Sequence, residues 1–425
     1  MSDAALAGAS PAPLRRPRWL RRTLPWVGAA CLLAVAPHLL TSGTSLTIMS
    51  LMGITVVFSL SYNMLLGQTG LLSFGHAVHY GLGAFFTVHA MNATIAARLP
   101  LPLPFMPLVG GAAGLVSGLA FGALSTRRAG TAFAMITLGI GELVASSANV
   151  LRSFFGGEEG VTTNRSKLLH VLGWSFGPQL QIYHLIAAWL LVCALLMYGI
   201  TRTPLGRMCN ATRDNPERVQ FLGYDPHRVR LMAFALAATF AGIAGGLAAV
   251  NFEIANSNML GAEQSGLVLL ATFVGGTRYF AGPIVGAVLV TYLQSMLSDV
   301  TELWQLYFGL LFIAVVLFAP GGIAGVIAMH GPALRAGTLP RLAPSYLLAL
   351  LPALAAFLGA VTLTEMTYHA IQKTADGPLM TLWSLPLDVS RPLPWIAAAA
   401  LLALGVAGLR LLAPRVAAAF AQATA

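Results

Sequence analysis

The sequence predicts an all-α membrane protein, a polytopic bundle of about twelve transmembrane helices. Hydrophobic residues make up 57% of the 425 residues and charged residues only 9%, whereas a soluble domain carries roughly 25% charged residues. The apolar residues come in runs of about 17–25, the length that crosses a hydrocarbon core of about 30 Å. Inside lipid every backbone N–H and C=O needs a partner within the chain, so runs of this length must be helical.

Twelve apolar runs are candidate spans. None shows the short alternating pattern of transmembrane β-strands. The predicted spans are residues 24–40, 45–66, 74–92, 105–125, 131–151, 179–200, 230–250, 263–277, 281–298, 304–322, 345–364 and 394–412.

The charges between these runs predict how the chain crosses the membrane. Arginine and lysine collect in cytoplasmic junctions, so a chain that starts inside should have its basic junctions inside. The basic residues that fall inside are Arg127, Arg128, Arg202, Arg207, Arg213, Arg218, Arg228, Arg278, Arg335, Arg341 and Arg415. The acidic segments that fall outside are Glu158–Glu159, Asp299–Glu302 and Asp376–Asp388. Both termini are therefore expected in the cytoplasm.

The N-terminal stretch LRRPRWLRR, residues 14–22, precedes the first apolar run. A basic segment before an apolar run is also the pattern of a signal peptide. However, no small-residue cleavage site follows the run. We expect residues 1–23 to be a cytoplasmic basic segment before a retained first span.

Composition and motifs argue against several other classes. The net charge of +10 is scattered between apolar runs, which does not indicate a nucleic-acid partner. Cys31, Cys193 and Cys209 lack metal-ligand spacing, so free thiols and no metal are expected. The chain has no H-E-x-x-H, G-x-S-x-G or G-x-x-x-x-G-K-[ST] motif, so we expect no catalytic residues, no ATP site and no bound cofactor.

Two spans carry stripes of small residues. Gly110, Gly114, Gly118 and Gly122 recur every four residues, and Ala238, Gly242 and Gly246 do the same. Small residues let helix backbones approach closely in lipid. Both stripes predict helix-packing faces rather than substrate contacts.

The stretch 67–83, GQTGLLSFGHAVHYGLG, is too polar and glycine-rich for a lipid-facing helix. Non-helical backbone at membrane depth is tolerated where it is buried in protein or lines a wet cavity. A broken helix would present free N–H groups and a positive dipole end to a translocation pathway. We therefore predict that Gln68, Ser73 and His76, with the mid-span carboxylate Glu142, lie along a pathway. The alternative is a re-entrant turn that only spaces two helices.

The segment 201–250 carries a helix-turn between two spans. Pro204 suits the start of a short amphipathic helix, Gly223 its end, and Asp225–Pro226 the cap of the next span. A short basic helix on the cytoplasmic side has no core of its own to complete. The loop 203–228 is thus predicted to dock a partner, and the alternative is a solvated connection.

Five blocks in order resemble one family. Glu217-Arg218-Val219-xxx-Gly223 looks like the degenerate EAA-xxx-G loop of ATP-binding cassette (ABC) importer permeases, and its surroundings resemble the LivM-type permeases of branched-chain amino acid importers. The other blocks are YNMLLGQTGLLSFGHAVHYGLG at 62–83, GTAFAMITLGIGELV at 130–144 with GGEEGV at 156–161, GGTRYFAGPIVGA at 275–287 and YFGLLFIAVVLFAPGGIAGVI at 307–327.

The resemblance implies a mechanism and a set of partners. A periplasmic solute-binding protein would deliver solute to this chain and a second, LivH-like permease in the bacterial inner membrane. Two ATPase subunits would dock on the cytoplasmic loops and hydrolyse ATP. The solute would be a branched-chain or other amino acid, or a similar small polar molecule. The residues assigned to the ATPase-coupling loop are Pro204, Gly206, Arg213, Asn215, Glu217 and Gly223.

The resemblance covers part of the chain only. It implies a permease domain at 24–328 and leaves 329–425 as an extension with two extra spans. Arg278–Tyr279 and the segment 319–322 depart from the family pattern near the cytoplasmic face. The alternative function is an ion-coupled secondary transporter, which should carry paired carboxylates at mid-membrane depth. Glu142 is the single firm mid-span carboxylate in the sequence.

Overall fold

The computed structural model describes residues 18–169, 173–373, 377–382 and 385–424. Residues 1–17 of the predicted N-terminal segment and Asp376 of the predicted outer acidic segment lie outside the described residues. The chain divides into two compact units, Met1–Leu297 and Ser298–Ala425.

The first unit is helical apart from one small strand pair. Strands β1 (Val161–Thr162) and β2 (Ile254–Ala255) pair antiparallel. The helices are α1 Arg18–Leu39, α2 Gly43–Thr69, α3 Ala77–Ala96, α4 Met106–Ser125, α5 Thr131–Val150, α6 Arg152–Phe155, α7 Gln179–Arg202, α8 Pro204–Asp214, α9 Pro216–Phe221, α10 Pro226–Phe252, α11 Ala262–Gly275 and α12 Gly282–Val300.

Helix α10 is the centre of the first unit. It packs against α4, α3 and α2, and nearly all of its membrane-length stretch is buried. The two small-residue stripes meet here: a Cβ added at Gly242 would lie 2.1 Å from the carbonyl oxygen of Gly110, and one at Gly114 would lie 2.2 Å from that of Ala238. The predicted packing role of the stripes is confirmed, because any larger side chain would force the two backbones apart.

The second unit consists of three helices, a helical hairpin and a strand pair. The helices are α13 Trp304–Phe318, α14 Gly322–Met329, α15 Gly331–Ala336, α16 Leu339–Gln372 and α17 Pro392–Thr424. Helices α16 and α17 pack along each other. Strands β3 (Leu379–Leu382) and β4 (Leu385–Asp388) form an antiparallel pair between them in sequence.

Eight of the described helices are long and apolar enough to cross a membrane: α2, α4 with the turn before it, α5, α7, α10, α12, α16 and α17. A ninth span would be α13 followed by α14 and α15, bent by 42° at residues 319–321. The apolar helices α1 and α11 are shorter, and α3 contains several polar residues. The chain is thus a polytopic helical membrane protein, as predicted. The count of twelve spans, the orientation and the domain boundary at 328/329 stay predictions.

Candidate functional site

The interruption predicted within 67–83 lies between α2 and α3. Helix α2 ends at Thr69, and Gly70 follows in the left-handed region with φ of 70°. The backbone is then non-helical until α3 begins at Ala77. We call residues 70–76 the α2–α3 break.

Three neighbouring helices hold the break in place. The hydroxyl of Tyr62 on α2 donates to the carbonyl oxygen of Ser73 at 2.8 Å. The N–H of Phe74 donates to the Thr137 hydroxyl on α5 at 3.2 Å, and the N–H of Ala77 donates to the Ser265 hydroxyl on α11 at 3.0 Å. The backbone N–H groups of the break are therefore partly satisfied by side chains far away in sequence.

His76 lies at the end of the break and is fully buried. Its Nε2 is 3.1 Å from the Ser61 hydroxyl, and its ring stacks on Phe58 with centroids 5.6 Å apart. Tyr62 and His79 contact the same ring edge-on. These four side chains enclose His76, so it does not line an open cavity.

Unpartnered polar atoms concentrate around the break. Nine buried side-chain atoms of the described residues lack a hydrogen-bond partner, and five of them belong to residues 59–76. These five are Ser59 Oγ, Asn63 Oδ1, Gln68 Oε1, Ser73 Oγ and His76 Nδ1. Because buried polar groups are normally paired, this segment has unused hydrogen-bonding capacity in the conformation observed.

Glu142 lies elsewhere. Its helix α5 contacts the break, but Glu142 itself is on the exposed side of α5, together with Ser146 and Asn149. Spacings of four and three residues put these three on one face of the helix. We call them the α5 polar stripe. Sequence reasoning missed Ser146 and Asn149, although their helical spacing from Glu142 could have revealed them.

The exposed side of α4 provides a contrast. Its exposed large residues, such as Leu115, Val116 and Leu119, are apolar. Such a face suits lipid, whereas a carboxylate facing hydrocarbon costs roughly 2.5–3.5 kcal/mol. The α5 polar stripe therefore needs water or another protein beside it.

The predicted coupling loop forms two helices instead of one. Pro204 is at the start of α8, where the Thr203 hydroxyl accepts the N–H of Gly206. The expected single helix is interrupted at Asn215, because Pro216 disfavours a helical conformation in the residue before it. Asn215 instead caps α9, its side chain accepting the N–H of Arg218 at 2.9 Å.

The end of the loop agrees with the prediction. Gly223 has φ of 84°, the left-handed conformation typical of a residue just after a helix. The Asp225 carboxylate accepts the N–H of His227 and so caps α10. Gly223 and Asp225 therefore mark the loop's exit into the next span.

Helix α8 packs on the bundle through one face. Gly206, Cys209 and Thr212 form its buried face. A cavity of about 10 Å³ separates this face from α2, α7 and α10, and Gln68 on α2 lines it. The cavity is at the lower limit for one water molecule. The structure thus places Gln68 beside the coupling loop, apart from Ser73 and His76 in the break and from Glu142 on α5.

The far side of the loop is exposed. Phe221 is 90% exposed, Leu222 63% and Tyr224 53%. Glu217 and Arg218 are exposed next to them. Large apolar side chains that project from a short charged helix-turn are typical of an interaction site. We call Phe221, Leu222 and Tyr224 the apolar tip of the loop.

At the opposite end of the bundle, Arg165 anchors the segment between α6 and α7. Its guanidinium donates to the carbonyl oxygens of Val250 and Asn251 at the end of α10, at 3.2 and 2.7 Å, and its backbone N–H donates to Glu253. Burial lowers the pKa of Arg165, and Glu253 partly opposes that change. The sequence offered no signal for this contact, which joins residues 85 or more positions apart.

Among the described residues, no group of histidine, cysteine and acidic side chains could hold a metal.

The membrane-length helices, the interrupted span and the helix-turn that packs on the bundle together define a polytopic membrane protein with a built-in break. Residues 44–319 match the family described as branched-chain amino acid transport system / permease component. The chain belongs to this family and is a permease subunit of an ABC importer, a class in which separate subunits hydrolyse ATP.

Several relatives carry related names. The high-affinity branched-chain amino acid transport system permease protein LivM of Salmonella typhimurium is 28% identical over 316 residues, which cover 69% of this chain and 73% of LivM. The permease protein BraD of Pseudomonas aeruginosa is 26% identical over 286 residues, 63% of this chain and 91% of BraD. A probable branched-chain amino acid transport permease, LivH of Methanocaldococcus jannaschii, is 27% identical over 244 residues, 53% of this chain and 74% of LivH. No solved structure matches the chain significantly.

Proposed function

We propose that this chain is the LivM-like permease subunit of a bacterial inner-membrane importer for branched-chain amino acids or similar small polar solutes. A LivH-like permease is its partner, a periplasmic binding protein delivers the solute, and two ATPases drive transport. The observation that carries the proposal is the coupling loop, which is docked on the bundle through one face and exposes the apolar tip on the other. The names of the LivM and BraD relatives support the solute class.

In this proposal both termini and the loop 203–228 are cytoplasmic. The arginines of α8, α9 and the start of α10 support that orientation through the positive-inside rule. The segment held by Arg165 then faces the periplasm, where the binding protein docks. The remaining apolar helices α1, α3 and α11 complete the predicted twelve spans.

The coupling loop transmits ATPase movement to the bundle. The apolar tip provides area for burial against an ATPase, about 25 cal/mol per Å² of apolar surface. Glu217 and Arg218 provide the polar rim that fixes the orientation of the contact. The buried face of α8 then passes the movement to α2, α7 and α10.

The translocation pathway runs beside the α2–α3 break and the α5 polar stripe. Glu142, Ser146 and Asn149 are exposed on this subunit, so a LivH-like partner or the water-filled path between the two permeases would cover them. His76 and Ser73 lie behind this surface, and each carries one of the buried side-chain atoms that lack a hydrogen-bond partner. We propose that they flank the path and control the conformation of the break.

The proposal is tested in proteoliposomes that contain the complete importer. Leucine uptake should require the binding protein, ATP and both permeases. A Phe221→Ser/Leu222→Ser variant should assemble the permease pair but lose ATPase binding and uptake. Leu379→Ser, which removes an equally exposed leucine on β3 (67%), is the control and should transport normally. Normal uptake by the Phe221/Leu222 variant would contradict ATPase docking at this loop.

The alternative of an ion-coupled secondary transporter is separated in the same preparation. Uptake that continues without the ATPases and collapses with an ionophore would favour it. Dependence on ATP with no effect of the ionophore favours the importer.

A further inference from the structure

One contact that the sequence did not predict joins the coupling loop to the end of α2. Arg213, in the last turn of α8, donates from Nη1 to the carbonyl oxygen of Gly67 at 2.5 Å. The two residues are 146 positions apart in the chain. The contact is thus a tertiary link between the loop and the helix that leads into the α2–α3 break.

The acceptor is a carbonyl that a helix end leaves open. The last four C=O groups of a helix have no intrahelical partner, and Gly67 is within the last turn of α2. A cation near a helix C-terminus also interacts favourably with the helix dipole. Arg213 therefore caps α2 from a different helix.

Two further contacts constrain the Arg213 side chain in this position. A Cβ added at Gly70, the first residue of the break, would lie 2.8 Å from Cγ of Arg213. Asp214 accepts a hydrogen bond from Nε of Arg213 at 3.0 Å and so holds the guanidinium from the loop side. The side chain is held between the loop and the break.

The link has unpartnered polar atoms on both sides. Gln68 Oε1 on α2 and Thr212 Oγ1 on α8 each neighbour a residue of the link in sequence, and both are buried without a hydrogen-bond partner. Both atoms thus have unused hydrogen-bonding capacity at the place where α8 meets α2.

We infer that Arg213 is a positioning residue that couples the ATPase-docking loop to the α2–α3 break and hence to His76. This inference rests on the proposed function, because it needs an ATPase that moves the loop. A displacement of α8 pulls on the carbonyl end of α2 through the guanidinium, and the break absorbs the movement.

The experiment compares arginine variants in the complete importer, measuring leucine taken up per ATP hydrolysed. Arg213→Gln should assemble and hydrolyse ATP but lose at least fivefold in uptake per ATP. Arg213→Lys, which keeps a donor and the charge, should retain more than half of the wild-type ratio. Arg127→Gln is the matched control. Arg127 also donates to a helix carbonyl oxygen, that of Ala123 at 3.2 Å, but this bond lies four residues away on the preceding helix and does not link the coupling loop to another element. This variant should leave the ratio unchanged.

A second variant addresses the case in which Arg213→Gln fails to assemble. Gly70→Ala displaces the arginine without removing it and should lower uptake per ATP in the same way. Alanine also strains the left-handed backbone at Gly70, so Gly337→Ala is its control: Gly337 has the same φ of 70°, and a Cβ there meets nothing within 4 Å. Gly337→Ala should leave the ratio unchanged. A wild-type ratio in Arg213→Gln, or in Gly70→Ala when the former is not assembled, overturns the inference. Absence of ATP-dependent uptake in the unmodified importer would overturn the proposed function instead, so the two failures are distinguishable.

Discussion

The contact between the α2–α3 break and α5 is tight enough to make Gly75→Ala a decisive perturbation. A Cβ at Gly75 would lie 2.1 Å from the carbonyl oxygen of Thr137 and 3.5 Å from the N–H nitrogen of Gly141. A close carbon–oxygen contact is about 3.3 Å long. The α2–α3 break and helix α5 must therefore move apart by about 1.2 Å to accept the new methyl group. The Thr137 oxygen is a backbone atom and the position of a Cβ is fixed by its own backbone, so no rotamer change can relieve this contact.

The expected cost follows from this geometry. Overpacking a well-packed site typically costs about 1–3 kcal/mol. Gly75 does not have a positive φ, so the new methyl group adds no dihedral strain. Alanine also restricts the unfolded chain more than glycine does, which stabilises the folded state by about 0.4–1 kcal/mol. The net loss of folding free energy should be about 1–2 kcal/mol, and α5 with its polar stripe should shift.

The assay measures thermal unfolding of the purified permease pair and leucine uptake per assembled importer. Gly199→Ala on α7 is the control, because a Cβ there meets nothing within 4 Å. Gly75→Ala should be less stable than Gly199→Ala and should transport more slowly. If the two variants are equally stable and equally active, the proposed close packing of the break on α5 is wrong.

Three further predictions concern the path, the orientation and the loop. His76→Leu and Glu142→Leu should lower uptake per assembled importer strongly, whereas a purely structural role would cost about 0.6 kcal/mol of stability with transport unchanged. Cysteines introduced at Ser166 and Asp214, both exposed, should label with a membrane-impermeant maleimide from outside and from inside respectively, and reversed labelling would refute the orientation. Burial raises the pKa of the Cys209 thiol from 9.0 to about 11, so alkylation of this thiol should be slow at pH 8. The buried neutral thiol should contribute its full stabilisation below pH 9 and lose it as the pH rises to about 11. Thermal unfolding of Cys209→Ala and of the parent protein across this pH range would check the prediction.

Local sequence signals determined much of the helix architecture. The low charge and the long apolar runs predicted membrane helices, since lipid leaves the backbone no other way to satisfy its hydrogen bonds. Thr203–Pro204 and Asp225–Pro226 begin helices and Gly223 follows one, because caps depend on residues within one turn of each other. The four-residue spacing of the glycines in α4 predicted its packing face for the same reason. The division of the loop into α8 and α9 was missed, although Asn215–Pro216 carried the signal.

The tertiary structure alone decided which of these residues act together. The sequence grouped Gln68, Ser73, His76 and Glu142, and the fold separated them into the loop contact, the buried break and the exposed stripe. It also brought Arg213 to Gly67. Such pairings join side chains that are far apart along the chain, and they depend on how whole helices pack. Composition, caps and periodicity report only on neighbours within a few residues, so they can define each helix but cannot show which faces of two distant helices meet.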